Sequence, residues 1–306
     1  MNRNSVDWHG SICAVVTPFT KTGEIDTKLF DENVELILSE GVHAIVVSGC
    51  TGEAWAMTPE EKLFLAKRTV EIVHHRVPVI AGTTAIRTED VVALSKETIA
   101  TGVDGLMVSA PYDCLPNQDE IYEHFRYISD AVSFPMLVYN IPSRLGVNLS
   151  MELLDRLADL DSVVAVKQSS AAYLDVYKTL ETVGDRIRVI VGYSSNRGLP
   201  CIALGADGFT STSDLQVIGK RAVDLYDASI RGDYEEARKL QSLCYRVASA
   251  VSAAGSFPAS LKSAMNLVGR PGGYPRRPLL PVQGEKLVKL AQMLSDAGLE
   301  IKGEIH

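Results

Sequence analysis

The sequence predicts an α/β fold, a TIM (β/α)8 barrel with a C-terminal helical extension, on three observations. Eight short apolar runs alternate with helical patterns and short connections between about residues 12 and 212. The runs are continuous and rich in β-branched residues, as in strands covered on both faces. About ninety residues then follow with helical periodicity alone. A chain of 306 residues has room for one barrel-sized domain and an appendage. We assign the barrel to residues 1–214 and the helical extension to 215–306, as one folding unit. An open parallel sheet is the competing arrangement.

In chain order, the run Ile12–Thr17 precedes a helix over about Thr27–Glu40. His43–Ser48 precedes a helix opening at Thr58-Pro59-Glu60-Glu61, which combines an N-cap, a first-turn proline and early acids. Val77–Gly82 leads to a helix from Thr88, and Gly105–Ala110 to one over about Asp119–Ala131. Pro135–Asn140 leads to Ser150–Ala158, and Val163–Gln168 to Tyr173–Val183. Ile187–Gly192 leads to a short helix over Arg197–Leu204, and Asp207–Thr212 is the eighth strand. The extension reads as helices over Val217–Arg231, Tyr234–Ala254, Ala259–Leu267 and Gln283–Ala297. Gly269–Pro281, dense in proline and glycine, interrupts them with turns. Its Arg270, Arg276 and Arg277 offer an anion patch, against which stands a structured surface turn.

A formal charge of −8 argues against a nucleic-acid or acidic-membrane partner. The first residues lack the apolar core of a signal peptide, and no apolar run approaches the roughly 18 residues of a membrane span. Five scattered cysteines without a CxxC pair fit free thiols in a reducing cytoplasm. Of the six histidines only His74 and His75 are neighbours, near a helix end, where they complement the helix dipole better than they would hold a metal. No metal site is indicated, and a cytoplasmic location is expected.

In a barrel the chemistry sits where strands end and the following loops begin. In Val163-Val164-Ala165-Val166-Lys167-Gln168 a buried strand runs straight into a lysine. Burial disfavours the ammonium form and frees an amine for attack on carbonyls, giving a Schiff base. The bland alternative is a lysine whose head reaches past the strand end into water. Tyr139 closes the preceding strand as a possible proton shuttle, or as a mouth aromatic whose hydroxyl caps a loop. The loop Gly49-Cys50-Thr51-Gly52-Glu53 carries glycines that allow close backbone approach and N–H donation, with Glu53 as a turn cap in the plainer reading. Asp113, Gly192 and Thr210 stand at three other strand ends.

Together these stretches resemble the dihydrodipicolinate synthase / N-acetylneuraminate lyase family of Schiff-base, class I aldolase-like barrels. The matching pieces are Gly49–Glu53, Tyr139-Asn140-Ile141-Pro142-Ser143-Arg144, Lys167 and Gly205-Ala206-Asp207-Gly208, and the likeness runs from about residue 10 to 297. It implies a homotetramer built from dimers, and no cofactor beyond the covalent Schiff base on Lys167. It also implies that Lys167 binds the 2-oxo carbon, that Tyr139 relays protons, and that Thr51 links Tyr139 to the substrate carboxylate. Cys50, Gly49, Arg144, Asp113, Gly192 and Thr210 are the expected substrate-binding positions.

Three positions depart from the synthases. Asp113 stands where they carry a second tyrosine that reaches across the subunit interface, Cys50 where they carry threonine, and Thr210 where they carry an aliphatic residue. A thiol is a weak link in a hydroxyl chain. Sialic acid cleavage is disfavoured because those lyases lack an arginine at Arg144, a residue suited to bidentate recognition of a second carboxylate. Ion pairing within its own loop is the plainer role for Arg144. The expected function is therefore a lyase acting on a small 2-oxo acid or cyclic imino acid. A dehydratase or deaminase, such as a hydroxypyrroline-carboxylate deaminase or a keto-deoxy-sugar-acid dehydratase, stands slightly ahead of an aldolase. The alternatives are the 4-hydroxy-tetrahydrodipicolinate synthase condensation and a non-catalytic 2-oxo-acid binder.

Overall fold

A computed structural model describes residues 1–304. Eight strands pair in parallel and in chain order, and the last pairs back on the first, so the sheet is a closed barrel and not an open one. The strands are β1 (Gly10–Ala14), β2 (Ala44–Val47), β3 (Val79–Gly82), β4 (Gly105–Ser109), β5 (Met136–Asn140), β6 (Val163–Gln168), β7 (Arg188–Val191) and β8 (Gly208–Ser211). All are buried along their length except Arg188 at the start of β7, because the helices cover the outer face and side chains fill the inner one. Closure matters for function. It leaves no edge at which the ladder between β5 and β6 can slip, and that ladder sets Tyr139 beside Lys167.

Around the barrel run α1 (Thr27–Ser39), α2 (Pro59–Val73), α3 (Thr88–Ile99) and α4 (Gln118–Val132). There follow α5 (Pro142–Leu145), α6 (Met151–Leu157), α7 (Tyr173–Val183) and α8 (Ser194–Ala203). Reciprocal capping boxes start α2 at Thr58/Glu61 and α4 at Asn117/Glu120. His74 and His75 adopt left-handed backbone (φ 47° and 59°) and terminate α2. After β8 come α9 (Leu215–Ile218), α10 (Lys220–Ile230), α11 (Tyr234–Ala254), α12 (Ala259–Leu267) and α13 (Glu285–Asp296). Of these, α11 packs on α8, α10 and α13, so the extension lies against the barrel wall.

The differences from the sequence reading are local. The first strand pairs from Gly10, because Gly10 and Ser11 face Gly208 and Phe209, while Val15 and Val16 continue past the ladder towards the mouth. The single helix expected over 217–231 is broken at Gly219 (φ 59°), where an added Cβ would lie 2.0 Å from the Glu40 carboxylate. The helix expected from Arg197 starts at Ser194, and the one-turn α5 was not anticipated. Two of the three Gly269–Pro281 arginines are taken up by ion pairs, Arg270 making two bonds to Glu40 and Arg276 two to Glu61, while Arg277 is exposed.

One buried histidine gives the fold an acid limit. His124 on α4 is 5% exposed, its Nδ1 lies 2.9 Å from the Thr88 hydroxyl, and burial lowers its pKa to about 4. An unfolded chain takes up that proton near pH 6.5. Between those values only the unfolded state is protonated, so stability is intact above pH 6.5 and is lost as the pH falls towards 4, by roughly 3 kcal/mol at most. The melting temperature should fall across that window in thermal denaturation, and a His124→Phe variant should lose less over the same range.

Candidate active site

Lys167 occupies the penultimate position of β6, its Cα in register with Tyr139 of β5 and Ile190 of β7. The strand carries it inside the barrel mouth, where the residue is 6% exposed. Its Nζ lies 4.2 Å from the centre of the Tyr139 ring. Among the described residues no carboxylate pairs with it, and desolvation, the larger cause, brings its pKa down to about 8 against an opposing contribution from Cys50. A shift from 10.5 to about 8 leaves roughly 300-fold more free amine at neutral pH than an exposed lysine has. The alternative of a side chain reaching into water is not what the structure shows.

Tyr139 is shifted the other way. Burial first, then Cys50 and Tyr193, hold its phenol well above the usual range, with Ser169 and Arg144 pulling it back. It stays protonated at neutral pH and can donate. Ser169, which follows Lys167 and Gln168 just past β6, lines the same cavity as Tyr139. Gly192 makes room for that serine, since a Cβ there would lie 1.8 Å from the Ser169 oxygen. Behind them Gln168, fully buried, accepts from Asn140 (2.9 Å) and from the Ser170 backbone (3.1 Å) and donates to Thr179 (2.9 Å). Asn140 also donates to Asn148 (2.8 Å). This amide chain locks the ends of β5 and β6 together without crossing the cavity.

Two cavities meet at this point. The first, of about 390 Å³, is lined by Lys167, Tyr139, Cys50, Thr51, Arg144, Ser169, Gly192 and Thr210. Tyr245, Ser249 and Ser252 of α11 also line it. The second, of about 260 Å³, shares Cys50, Tyr139, Ile141 and Arg144 and extends past Gly49 to Lys62, Trp55 and Tyr112. Arg144 sits on the last turn of α5, which Pro142 starts and Gly146 ends, so its guanidinium reaches the boundary between the two. Thr210 also lines this space, and its hydroxyl is buried with no hydrogen-bond partner among the described residues.

Of the positions singled out in the sequence, Lys167, Tyr139, Thr51, Cys50, Arg144, Gly192 and Thr210 gather around one cavity, and Gly49 joins through the second. Asp113 does not: it is exposed, in left-handed backbone (φ 73°), and lines neither cavity. Ser169, Tyr193 and the α11 serines were missed. Ser169 had one signal, its place two residues after the lysine; the α11 residues had none, being brought to the mouth by tertiary packing alone. Glu53 caps no helix by its side chain but is buried against Lys262. Among the described residues no group of three or more His, Cys, Asp or Glu is arranged to hold a metal, and no helix is long and apolar enough to cross a membrane.

Comparison with known proteins places this geometry. Residues 7–297 match the dihydrodipicolinate synthetase family. A 4-hydroxy-tetrahydrodipicolinate synthase of Oceanobacillus iheyensis is 35% identical over 285 residues, covering 93% of this chain and 96% of its own. One from Clostridium perfringens is 35% identical over 290 residues, covering 95% and 98%. Among solved structures, a dihydrodipicolinate synthase from Bacillus anthracis superposes with a TM-score of 0.90 at 35% identity, covering 95% of this chain and 98% of that one. With a lysine at the end of the sixth strand and a likeness that spans nearly its whole length, this chain belongs to the dihydrodipicolinate synthetase family and is a lysine-dependent, Schiff-base-forming lyase/aldolase of class I.

Proposed function

We propose that the chain joins pyruvate to an aldehyde through a Schiff base on Lys167, the reaction of a 4-hydroxy-tetrahydrodipicolinate synthase, with aspartate semialdehyde as the aldehyde. The observation that carries this reading is the desolvated Lys167 amine 4.2 Å from the Tyr139 ring, in a cavity that Arg144 borders. The curated relatives that carry the synthase name favour it over the elimination that the sequence analysis set first. The free amine of Lys167 adds to the C2 carbonyl of pyruvate, and the carbinolamine expels water to leave an iminium. Loss of a C3 proton gives an enamine, whose C3 attacks the aldehyde carbon while the new alkoxide takes a proton. Tyr139, kept as a phenol by burial, is suited to hand on that proton, with Ser169 as its neighbour in the relay. Backbone N–H groups of the Cys50–Thr51 turn face the pyruvate carboxylate, and Arg144 the carboxylate of the aldehyde. Water or an internal amine then releases the product and restores the lysine.

A second reading keeps the same imine and eliminates water or ammonia from a longer substrate. Three positions favour it, where this chain departs from the synthases: Cys50 is a thiol, Asp113 replaces a tyrosine, and Thr210 brings a hydroxyl that is buried and unpartnered. Purified protein offered pyruvate with aspartate semialdehyde, and separately hydroxypyrroline carboxylate and keto-deoxy sugar acids, separates the two. Turnover of the first pair is the expected result; turnover confined to the others would replace it. In keeping with the family, we expect a homotetramer, to be read by light scattering.

Two further outcomes test the chemistry itself. Borohydride should trap pyruvate on Lys167 at a rate that rises about tenfold per pH unit up to about pH 8 and then levels, because only the free amine adds. Lys167→Ala should abolish the adduct and lower turnover by several orders of magnitude, whereas a protein that only binds 2-oxo acids would keep its affinity. Tyr139→Phe should keep the adduct and lower turnover roughly 100- to 10,000-fold.

A further inference from the structure

A buried ion pair outside the cavities touches the loops that frame them. Glu53 and Lys262 are both fully buried. Glu53 ends the turn after β2, two residues beyond Thr51, in left-handed backbone (φ 58°). One carboxylate oxygen accepts from the Lys262 ammonium, the other from the Arg276 backbone N–H at 2.9 Å. Lys262, on α12, also donates to the carbonyls of Thr17 (2.6 Å) and Tyr274 (2.9 Å), with the centre of the Phe19 ring 4.5 Å from its Nζ. The Arg276 guanidinium lies 4.2 Å from the same ring and holds Glu61 at the start of α2.

Two charges taken out of water are a poor source of stability, since well-packed apolar residues of similar volume often do as well or better. What the pair does provide is direction, because charge-assisted hydrogen bonds hold their partners at short, fixed distances. The segment so held is the turn that carries Cys50 and Thr51. It winds tightly through bonds from Glu53 N to the Cys50 carbonyl and from Ala54 N to the Gly49 carbonyl, both 3.2 Å. Glu53 ties the far end of that turn to α12 and to the Gly269–Pro281 stretch, and through Lys262 to the loop after β1. Displacing a positioning group by about 1 Å is enough to cost on the order of 100-fold in rate.

We propose that Glu53 and Lys262 are positioning residues for the Schiff-base chemistry: through their ion pair the C-terminal extension sets where the Cys50–Thr51 turn presents the substrate carboxylate to Lys167. This rests on the function proposed above, and pyruvate alone suffices to test it. Borohydride trapping counts competent Lys167 sites, and exchange of the pyruvate methyl protons into deuterium oxide, followed by NMR, reports imine and enamine formation per site. Glu53→Gln and Lys262→Met each break the pair. The double variant removes both buried charges, while the amide that Glu53→Gln introduces can still accept from the Arg276 backbone, so it is the variant expected to keep the fold. Exchange per trapped site should fall at least tenfold in all three, with half-saturation by pyruvate shifted severalfold upward. In the double variant this should persist even where the melting temperature recovers. A folded variant that no longer traps pyruvate counts as the same loss. Per-site exchange and half-saturation equal to those of the unaltered protein in the double variant would overturn the proposal. Absence of any Lys167 adduct in the unaltered protein would instead sink the Schiff-base reading, and this proposal with it, before a variant is made.

Discussion

The removal of one ammonium group from water is the constraint on which the rest of the site depends. Lys167 is held inside the mouth because β6 is locked on both sides, to β5 and to β7, and the barrel closes around it. Among the described residues no carboxylate offsets the burial, so the cost appears as a weakened hold on the proton, with the pKa brought to about 8. The one acidic side chain on the adjoining turn, Glu53, points away and is neutralised by a second lysine, Lys262. The two buried lysines thus have opposite surroundings, one nearly bare and one paired.

The same desolvation acts on Tyr139 with the opposite chemical result. Burial disfavours the charged form of both groups, giving a lysine that more readily loses its proton and a phenol that more firmly keeps it. Neighbouring strands, paired residue to residue, therefore place an available nucleophile against an available acid with no charged partner between them. The amide chain of Asn140, Gln168 and Thr179 keeps that register and leaves the cavity to the ligand.

Much of this was legible in the residues. The β-branched run into Lys167 read correctly as a strand buried on both faces, and the eight-fold alternation as a barrel, because both signals are local. Closure itself left no local signal and needed the pairing of β8 with β1. The Gly219 break was hidden because an apolar period continued through it, while the crowding that demands glycine comes from Glu40, far away in the chain. Asp113, expected at a strand end, lies well past the end of β4 at Ser109, exposed on a left-handed turn (φ 73°) whose direction the strand does not set. The partnership of Glu53 with Lys262 spans 209 residues and has no counterpart in periodicity or spacing.

The larger cavity is also lined by Tyr245, Ser249 and Ser252, one stripe of a helix that belongs to no strand–helix unit of the barrel. Part of the cavity lining is thus carried outside the barrel, which holds Lys167, Tyr139 and Arg144. Exchanges along that stripe alter the room and polarity met by the far end of a substrate without disturbing the ladder that holds the nucleophile. A lineage built this way can change its diet by drift in one appended helix while its bond-forming apparatus stays untouched.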